Sequence, residues 1–284
     1  MGAAARAGRA VRNAFASDGF RLFGWPFARD YLRFAGRAAR RWGATDAGRL
    51  HLLGFDLEYP NQSHALFLLH EIFVDATYRF RAASSAPVVV DCGANIGLSV
   101  AFFKALAPGC RVIAFEPDAR SFEILERNAS GNRMGGVELH RAAVGEAAGV
   151  AAFYRNADDP GSITASLDPS WGGAAAEQVP VVRASDVVMA HERVDFLKLD
   201  IEGAEFGAVR DLVRSRAIDR VQDSVIEYHS ELGPPGAVDE MIAALEATGM
   251  RVAPITHASS AGLGLIRASR ARPTWGRRGS PRPA

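Results

Sequence analysis

The chain has 284 residues, 48% hydrophobic and 23% charged, enough to bury one large core or two small ones. Its net charge of +1 excludes global steering toward nucleic acid or anionic lipid, and no apolar run approaches the roughly 18 residues of a spanning helix. The charge is uneven: the first 41 residues carry nine arginines against two acids, and the last 18 carry six arginines and no acid, which reads as a pair of solvated ends.

In chain order, residues 1–62 read as a basic, helical extension rich in aromatics (Phe15, Phe20, Phe23, Trp25, Phe27, Tyr31, Phe34, Trp42). It is placed to pack over the main domain or to cap a cleft. Within it, "LHLLGFDLEYP" (50–60) alternates around Gly54 and predicts a short strand or hairpin. The main domain spans 63–268. "SHALFLLHEIFVDATYRF" (63–80) predicts a helix with Ser63 as N-cap and Leu66, Leu69, Ile72 and Phe73 on one apolar face. From residue 88 strands and helices alternate. "VVVDC" precedes a helix stopped by Pro108, and "RVIAFEP" precedes one ended by Gly131. "VELHRAAVG" is a strand. "VDFLKLD" and "DSVIEYH" each precede a helix, and "RVAPI" and "GLGLIRA" close the pattern. Near-continuous Val/Ile/Leu runs predict strands covered on both faces, hence an α/β sheet. Residues 149–193 interrupt the alternation with two short strands, "VAAFYR" and "QVPVVRA", around a polar Gly/Pro/Ser-rich loop. Residues 269–284 read as a disordered Arg-rich tail.

Cys92 and Cys110 fall at opposite ends of neighbouring strands, about 13–17 Å apart at 3.3 Å per residue. A disulfide needs Cα atoms within about 7 Å, so buried thiols in a reducing, cytoplasmic setting are expected. The N-terminus lacks an apolar signal-peptide core.

"VVVDCGANIGLSV" (88–100) is a strand, a glycine-broken turn and a helix start. No basic residue occurs from 88 to 103, so a phosphate-cradling loop is excluded. Asn95 and Leu98 stand where a dinucleotide fingerprint needs glycines. The remaining pattern is Asp91-x-Gly93-x-Asn95-x-Gly97, with Glu116 at the end of the next strand. It resembles the motif of class I S-adenosylmethionine-dependent methyltransferases. Glycines admit close backbone approach and positive φ, and a carboxylate can accept both ribose hydroxyls. An acidic turn suits a cofactor that carries a sulfonium and an ammonium.

"DFLKLDIEGAEFGAVRDL" (195–212) is the second informative stretch. Lys198, Asp200 and Glu202 alternate with apolar residues at a strand's carboxyl end and share one face. Glu202 and Glu205 fall at a helix N-terminus, worth about 0.3–1 kcal/mol each. That accounts for Glu205 but leaves Asp200 beside the cofactor strand unexplained.

Together "EIF" with Tyr78, "VVVDCGANIGLSV", "VIAFEPD", "RAAVGE", "FLKLDIEGAE" and "VIEYH" resemble the FkbM family of methyltransferases, in family order over about residues 65–230. The resemblance implies a Rossmann-like class I fold: a mostly parallel sheet, helices on both faces and a closing antiparallel strand. It also implies O-methylation of a hydroxyl on a small molecule such as a sugar, glycan or polyketide-type product. S-adenosyl-L-methionine would be the cofactor. Carried over, Asp91, Gly93, Asn95 and Gly97, with Ser99 beside them, would line its methionine and ribose parts. Glu116, next to Pro117, would bind the ribose, Ala142 and Ala143 would pass near the adenine, and Tyr78 would stand near the pocket.

An alcohol acceptor needs a base or a metal to lose its proton. Asp200, Glu202 and His229 are the candidate bases. Glu227 and His229 are two apart on a strand and share a face, so Asp200, Glu227 and His229 could instead hold a divalent metal. A nucleic-acid methyltransferase and a non-catalytic cofactor-binding protein are the alternatives. The Asn/Asp-Pro-Pro-aromatic tetrapeptide typical of base methylation is absent, so no nucleic-acid partner is expected. The acceptor site is expected from loop 155–173, the aromatic N-terminal segment and the Arg-rich ends.

Overall fold

The computed structural model describes residues 3–40, 46–155, 165–171, 173–255 and 263–270. Two helices open the chain, α1 (Ala3–Ala16) and α2 (Asp18–Arg40). α2 bends at Gly24, whose φ of 64° suits glycine. A hairpin follows, β1 (Gly48–Leu52) with β2 (Phe55–Tyr59). Helix α3 (Gln62–Leu69) starts at Asn61, whose side chain accepts the N–H groups of Ser63 and His64. The cap is therefore Asn61 and not Ser63. Nor does the helix reach residue 80. It widens into one π turn, His70–Val74, and Ala76 leaves helical geometry with φ 49°.

The repeated units are β3 (Val88–Cys92), α4 (Leu98–Leu106), β4 (Arg111–Phe115), α5 (Ala119–Gly131) and β5 (Val137–His140). "VELHRAAVG" does not form one strand. The chain leaves β5 at Arg141, and β6 (Ala143–Gly145) joins β7 (Gly149–Arg155) and β8 (Ala175–Arg183) in a separate sheet of order β6-β8-β7. Then come α6 (Ala184–Met189), β9 (Phe196–Leu199), α7 (Glu205–Arg214), β10 (Asp223–His229), α8 (Ala237–Ala247), β11 (Arg251–Pro254) and β12 (Leu263–Ser269).

The main sheet has the order β11-β12-β10-β9-β3-β4-β5. β10, β9, β3, β4 and β5 run parallel, and β12 lies antiparallel between β10 and β11. This is the Rossmann-like arrangement that the family resemblance implies, a mostly parallel sheet closed by an antiparallel strand. Strand pleating sorts the core into two layers. Val89, Val112, Phe196 and Val225 face one cluster with Phe27, Phe73, Phe102 and Phe103. Val90, Ile113, Leu197 and Ile226 face another with Val209, Leu212 and Leu245. The aromatic extension belongs to the first layer: Phe23 meets Phe102 edge-on at 5.7 Å. Cys92 and Cys110 are buried free thiols.

Arg270 locks the end of β12 by donating to the carbonyls of Val221, Thr248 and Ile218. Residues 271–284 of the Arg-rich tail lie outside the described residues, as do 156–164 and 172 of the polar loop. No helix among the described residues is long and apolar enough to cross a membrane.

Candidate active site

Strand order reverses at β3, with β4 and β5 on one side and β9 and β10 on the other. The carboxyl ends of β3, β4, β9 and β10 open there on a cavity of about 310 Å³, where α/β sheets take ligands. After β3, Gly93 has φ 86°, and a Cβ would lie 1.8 Å from the Asp200 carbonyl oxygen. Glycine is therefore required by the approach of the neighbouring chain as well as by the turn. At Gly97 (φ 90°), which starts α4, a Cβ would stand 2.7 Å from Leu125 Cδ1.

Glu116 follows β4. Its oxygens accept the backbone N–H groups of Asn95 at 2.8 Å and Asp118 at 2.9 Å. Burial outweighs these hydrogen bonds and raises its pKa to about 8. Each oxygen retains acceptor capacity, so this buried wall carboxylate fits a ribose diol.

Lys198, on β9, is 2% exposed. Its Nζ donates to the Gly93 carbonyl at 2.6 Å and lies 2.9 Å from Asp200 and 3.5 Å from Asp91. It also stands 5.2 Å from the centre of the Tyr78 ring. Burial opposes its charge, but Asp200 and Asp91 outweigh burial and raise its pKa. Asp91 accepts the Ser99 hydroxyl at 2.6 Å. Burial raises the Asp91 pKa, while Lys198 and Ser99 pull the other way.

Further carboxylates complete the wall. Glu71, in the π turn, accepts the Tyr78 hydroxyl at 2.8 Å, and that hydroxyl also lies 3.4 Å from Asp200. Burial and the Asp200 charge raise the Glu71 pKa to about 7. Glu202 sits in the turn after β9 with φ 52°. Its carbonyl accepts the Ser166 hydroxyl, and its Oε2 accepts Trp171 Nε1–H at 2.8 Å. His229 Nε2 is 3.1 Å from Glu202 Oε2 and 3.7 Å from Glu227 Oε1. Among the described residues neither ring nitrogen has an aligned hydrogen bond. The imidazole packs against Trp171, 4.6 Å between ring centres. Burial opposes its protonation, but Glu202 outweighs burial and raises the His229 pKa. Burial raises Glu202, and it lifts Glu227 well above the carboxylate range with help from the Asp200, Glu71 and Glu202 charges.

Residues 91–252, more than half the chain, match the methyltransferase FkbM domain. The 31-O-demethyl-FK506 methyltransferase FkbM of Streptomyces tacrolimicus is 30% identical over 230 residues, covering 70% of this chain and 86% of that one. The chain belongs to the FkbM methyltransferase family. Like other FkbM proteins it is an S-adenosylmethionine-dependent methyltransferase. A further relative, methyltransferase sdnD of Sordaria araneosa, is 29% identical over 204 residues, 59% of this chain and 79% of that one. Among solved structures, M. jannaschii TYW2 in complex with AdoMet aligns with 80% of this chain and 86% of its own at 12% identity, TM-score 0.42.

The structure sorts the residues that the FkbM resemblance assigns to the cofactor. Gly93, Asn95, Ser99, Glu116, Pro117 and Ala143 lie on the cavity wall. Asp91, Gly97 and Ala142 lie behind it, Asp91 because its carboxylate is turned toward Ser99 and Lys198. Asp200, Glu202 and His229 share the wall. Among the described residues, the grouping with metal-ligand spacing is Glu202, Glu227 and His229. Asp200 is not in it, being drawn to Lys198. Glu205 turns its carboxylate onto the backbone N–H groups of Ile201 and Gly203, a purely local cap. Of loop 155–173, Ala165, Leu167 and Trp171 line the cavity. Sequence reasoning missed Glu71, although an acid inside the apolar run "EIF" was a usable signal, and it missed Trp171.

Proposed function

We propose that this FkbM methyltransferase transfers a methyl group to a hydroxyl of a small molecule, of the sugar, glycan or polyketide type. The observation that carries the reading is one cavity holding both the strand ends that suit the cofactor and the Glu202–Glu227–His229 corner. S-adenosylmethionine, when bound, supplies a sulfonium methyl group, which passes to the acceptor oxygen while the carbon–sulfur electron pair stays on sulfur. The chain's residues do the rest. Glu116 accepts the ribose hydroxyls, and the peptide groups at Gly93 and Asn95 border the same space. Lys198, on β9, ties that strand to β3 and its turn through Asp91 and the Gly93 carbonyl, fixing the distance between cofactor turn and acceptor corner. The corner assists loss of the acceptor hydroxyl's proton, the step for which an alcohol most needs help. Apolar Phe67, Ile72, Leu167 and Leu263 on the wall suit an acceptor with a substantial hydrocarbon frame. The relative from Streptomyces tacrolimicus, named for 31-O-demethyl-FK506, supports acceptors of this kind.

The test is transfer of labelled methyl from S-adenosylmethionine to a panel of hydroxylated glycosides and macrolides, with RNA as a control arm. His229→Ala is expected to lower kcat at least 100-fold while S-adenosylhomocysteine still binds in calorimetry. Transfer to RNA alone would overturn the proposed acceptor class.

A further inference from the structure

The Glu202–Glu227–His229 corner of the cavity is built from two separate elements. β10 pleating places Glu227 and His229 on one face, two residues apart. Glu202 arrives from the turn after β9 in a left-handed conformation, with its carbonyl held by Ser166. Each of the three offers one ligating atom, and these atoms lie within 4.8 Å of one another. His229 is 4% exposed and lines the cavity; among the described residues its Nε2 meets Glu202 Oε2 only as a 3.1 Å ion pair without hydrogen-bond alignment, and its Nδ1 has no partner. A buried imidazole left this way is an incomplete site, because buried polar groups are normally satisfied. Trp171 Nε1–H, bonded to Glu202 Oε2, fixes the orientation of that carboxylate from outside, as partners of metal ligands do. The cation on this wall, Lys198, is engaged by Asp200, Asp91 and the Gly93 carbonyl.

We propose that Glu202, Glu227 and His229 bind a divalent cation of the Mn²⁺ class on the cavity wall. Two carboxylates and one imidazole are the donor types such ions take. Three protein ligands leave coordination positions open to the cavity. The use of the ion, though not its binding, rests on the methyl-transfer reading: a divalent charge here lowers the pKa of the acceptor hydroxyl, whose proton then leaves to water.

The experiment titrates Mn²⁺ into EDTA-stripped full-length protein, following free Mn²⁺ by EPR, with S-adenosylhomocysteine calorimetry on the same samples. One saturable site per chain is expected. Affinity should fall at least tenfold in His229→Ala and in Glu227→Gln, and less than threefold in Asp200→Asn. Circular dichroism confirms that each variant is folded, and Glu227→Gln, the near-isosteric change, serves if His229→Ala is not. Trp171→Phe should weaken Mn²⁺ roughly tenfold, since outer partners tune affinity by about 10–100-fold. No saturable Mn²⁺ binding by wild-type protein overturns the proposal, as does undiminished binding in His229→Ala and Glu227→Gln. Mn²⁺ binding without S-adenosylhomocysteine binding would uphold the cation site and defeat the methyl-transfer reading.

Discussion

Glu116 and Lys198 show how single residues divide the work of this site. Glu116 is buried with its oxygens on backbone N–H groups and the cavity, so above about pH 8, where it is ionised, its charge is available to a ligand. Hydrogen bonds to a charged group are worth about 1.5–3 kcal/mol. Glu116→Gln should therefore weaken S-adenosylhomocysteine roughly 10–100-fold by calorimetry, and an unchanged Kd would remove Glu116 from the cofactor site. Lys198 acts differently. It neutralises Asp91 and Asp200 from a fully enclosed position. Removing one partner of a buried pair typically costs about 3–5 kcal/mol. Lys198→Met should lose stability of that order in urea unfolding, and a variant as stable as the wild type would show that the network is not structural. Glu116 was legible because an acid ending a buried strand, one unit after a glycine turn, falls on the side of the sheet where ligands collect. Asp91, given to the cofactor by the same motif, accepts Ser99 with one oxygen and faces Lys198 at 3.5 Å with the other, contacts between elements that no local pattern reveals.

At the level of elements, the strands were legible because burial on both faces forces unbroken Val/Ile/Leu runs. Two breaks were not. "VELHRAAVG" has continuous strand character, and its division into β5 and β6 depends on a second sheet that supplies β8 as a partner. The 63–80 segment has a helical apolar stripe, but the π turn at His70–Val74 slips the backbone register. That slip accompanies Glu71 on the cavity wall, whereas a regular wheel puts it away from the apolar face. π turns inside helices often mark functional sites. The N-terminal helices belong to the same core layer as α4. Phe27 is fully buried and stacks on Tyr31 at 5.7 Å between ring centres. Phe27→Ala should cost about 3–5 kcal/mol, read as a fall in the single unfolding transition followed in the far-UV. A separate early transition of the extension, leaving the main one in place, would contradict the shared core.

For the whole molecule the consequence is an unusual dependence of stability on pH. Glu116 is raised to about 8, Glu205 to about 7 and Asp223 to about 6, each chiefly by burial. Their unfolded values are about 4. A carboxyl raised in the folded state binds its proton more tightly folded than unfolded. The stability it contributes is full below the unfolded pKa and is lost as pH rises through the folded pKa. The window runs from about pH 4 to about pH 8, and Glu116 spans its upper end. Ligand-free protein should therefore melt at progressively lower temperature from pH 5.5 to pH 8.5, by of order 10 °C, since each pKa unit is about 1.4 kcal/mol and 1 kcal/mol moves Tm by about 2–4 °C for chains a little shorter than this one. Glu116→Gln has no proton to lose and should flatten the decline above pH 7. Binding should run the opposite way: the ionised Glu116 is the better acceptor, so S-adenosylhomocysteine affinity should rise over the same interval. Calorimetric melting and binding series across these pH values read both slopes. A Tm that is flat or rises toward pH 8.5 in the wild type would show that these carboxylates are ionised without penalty in the folded protein, and would overturn the raised values.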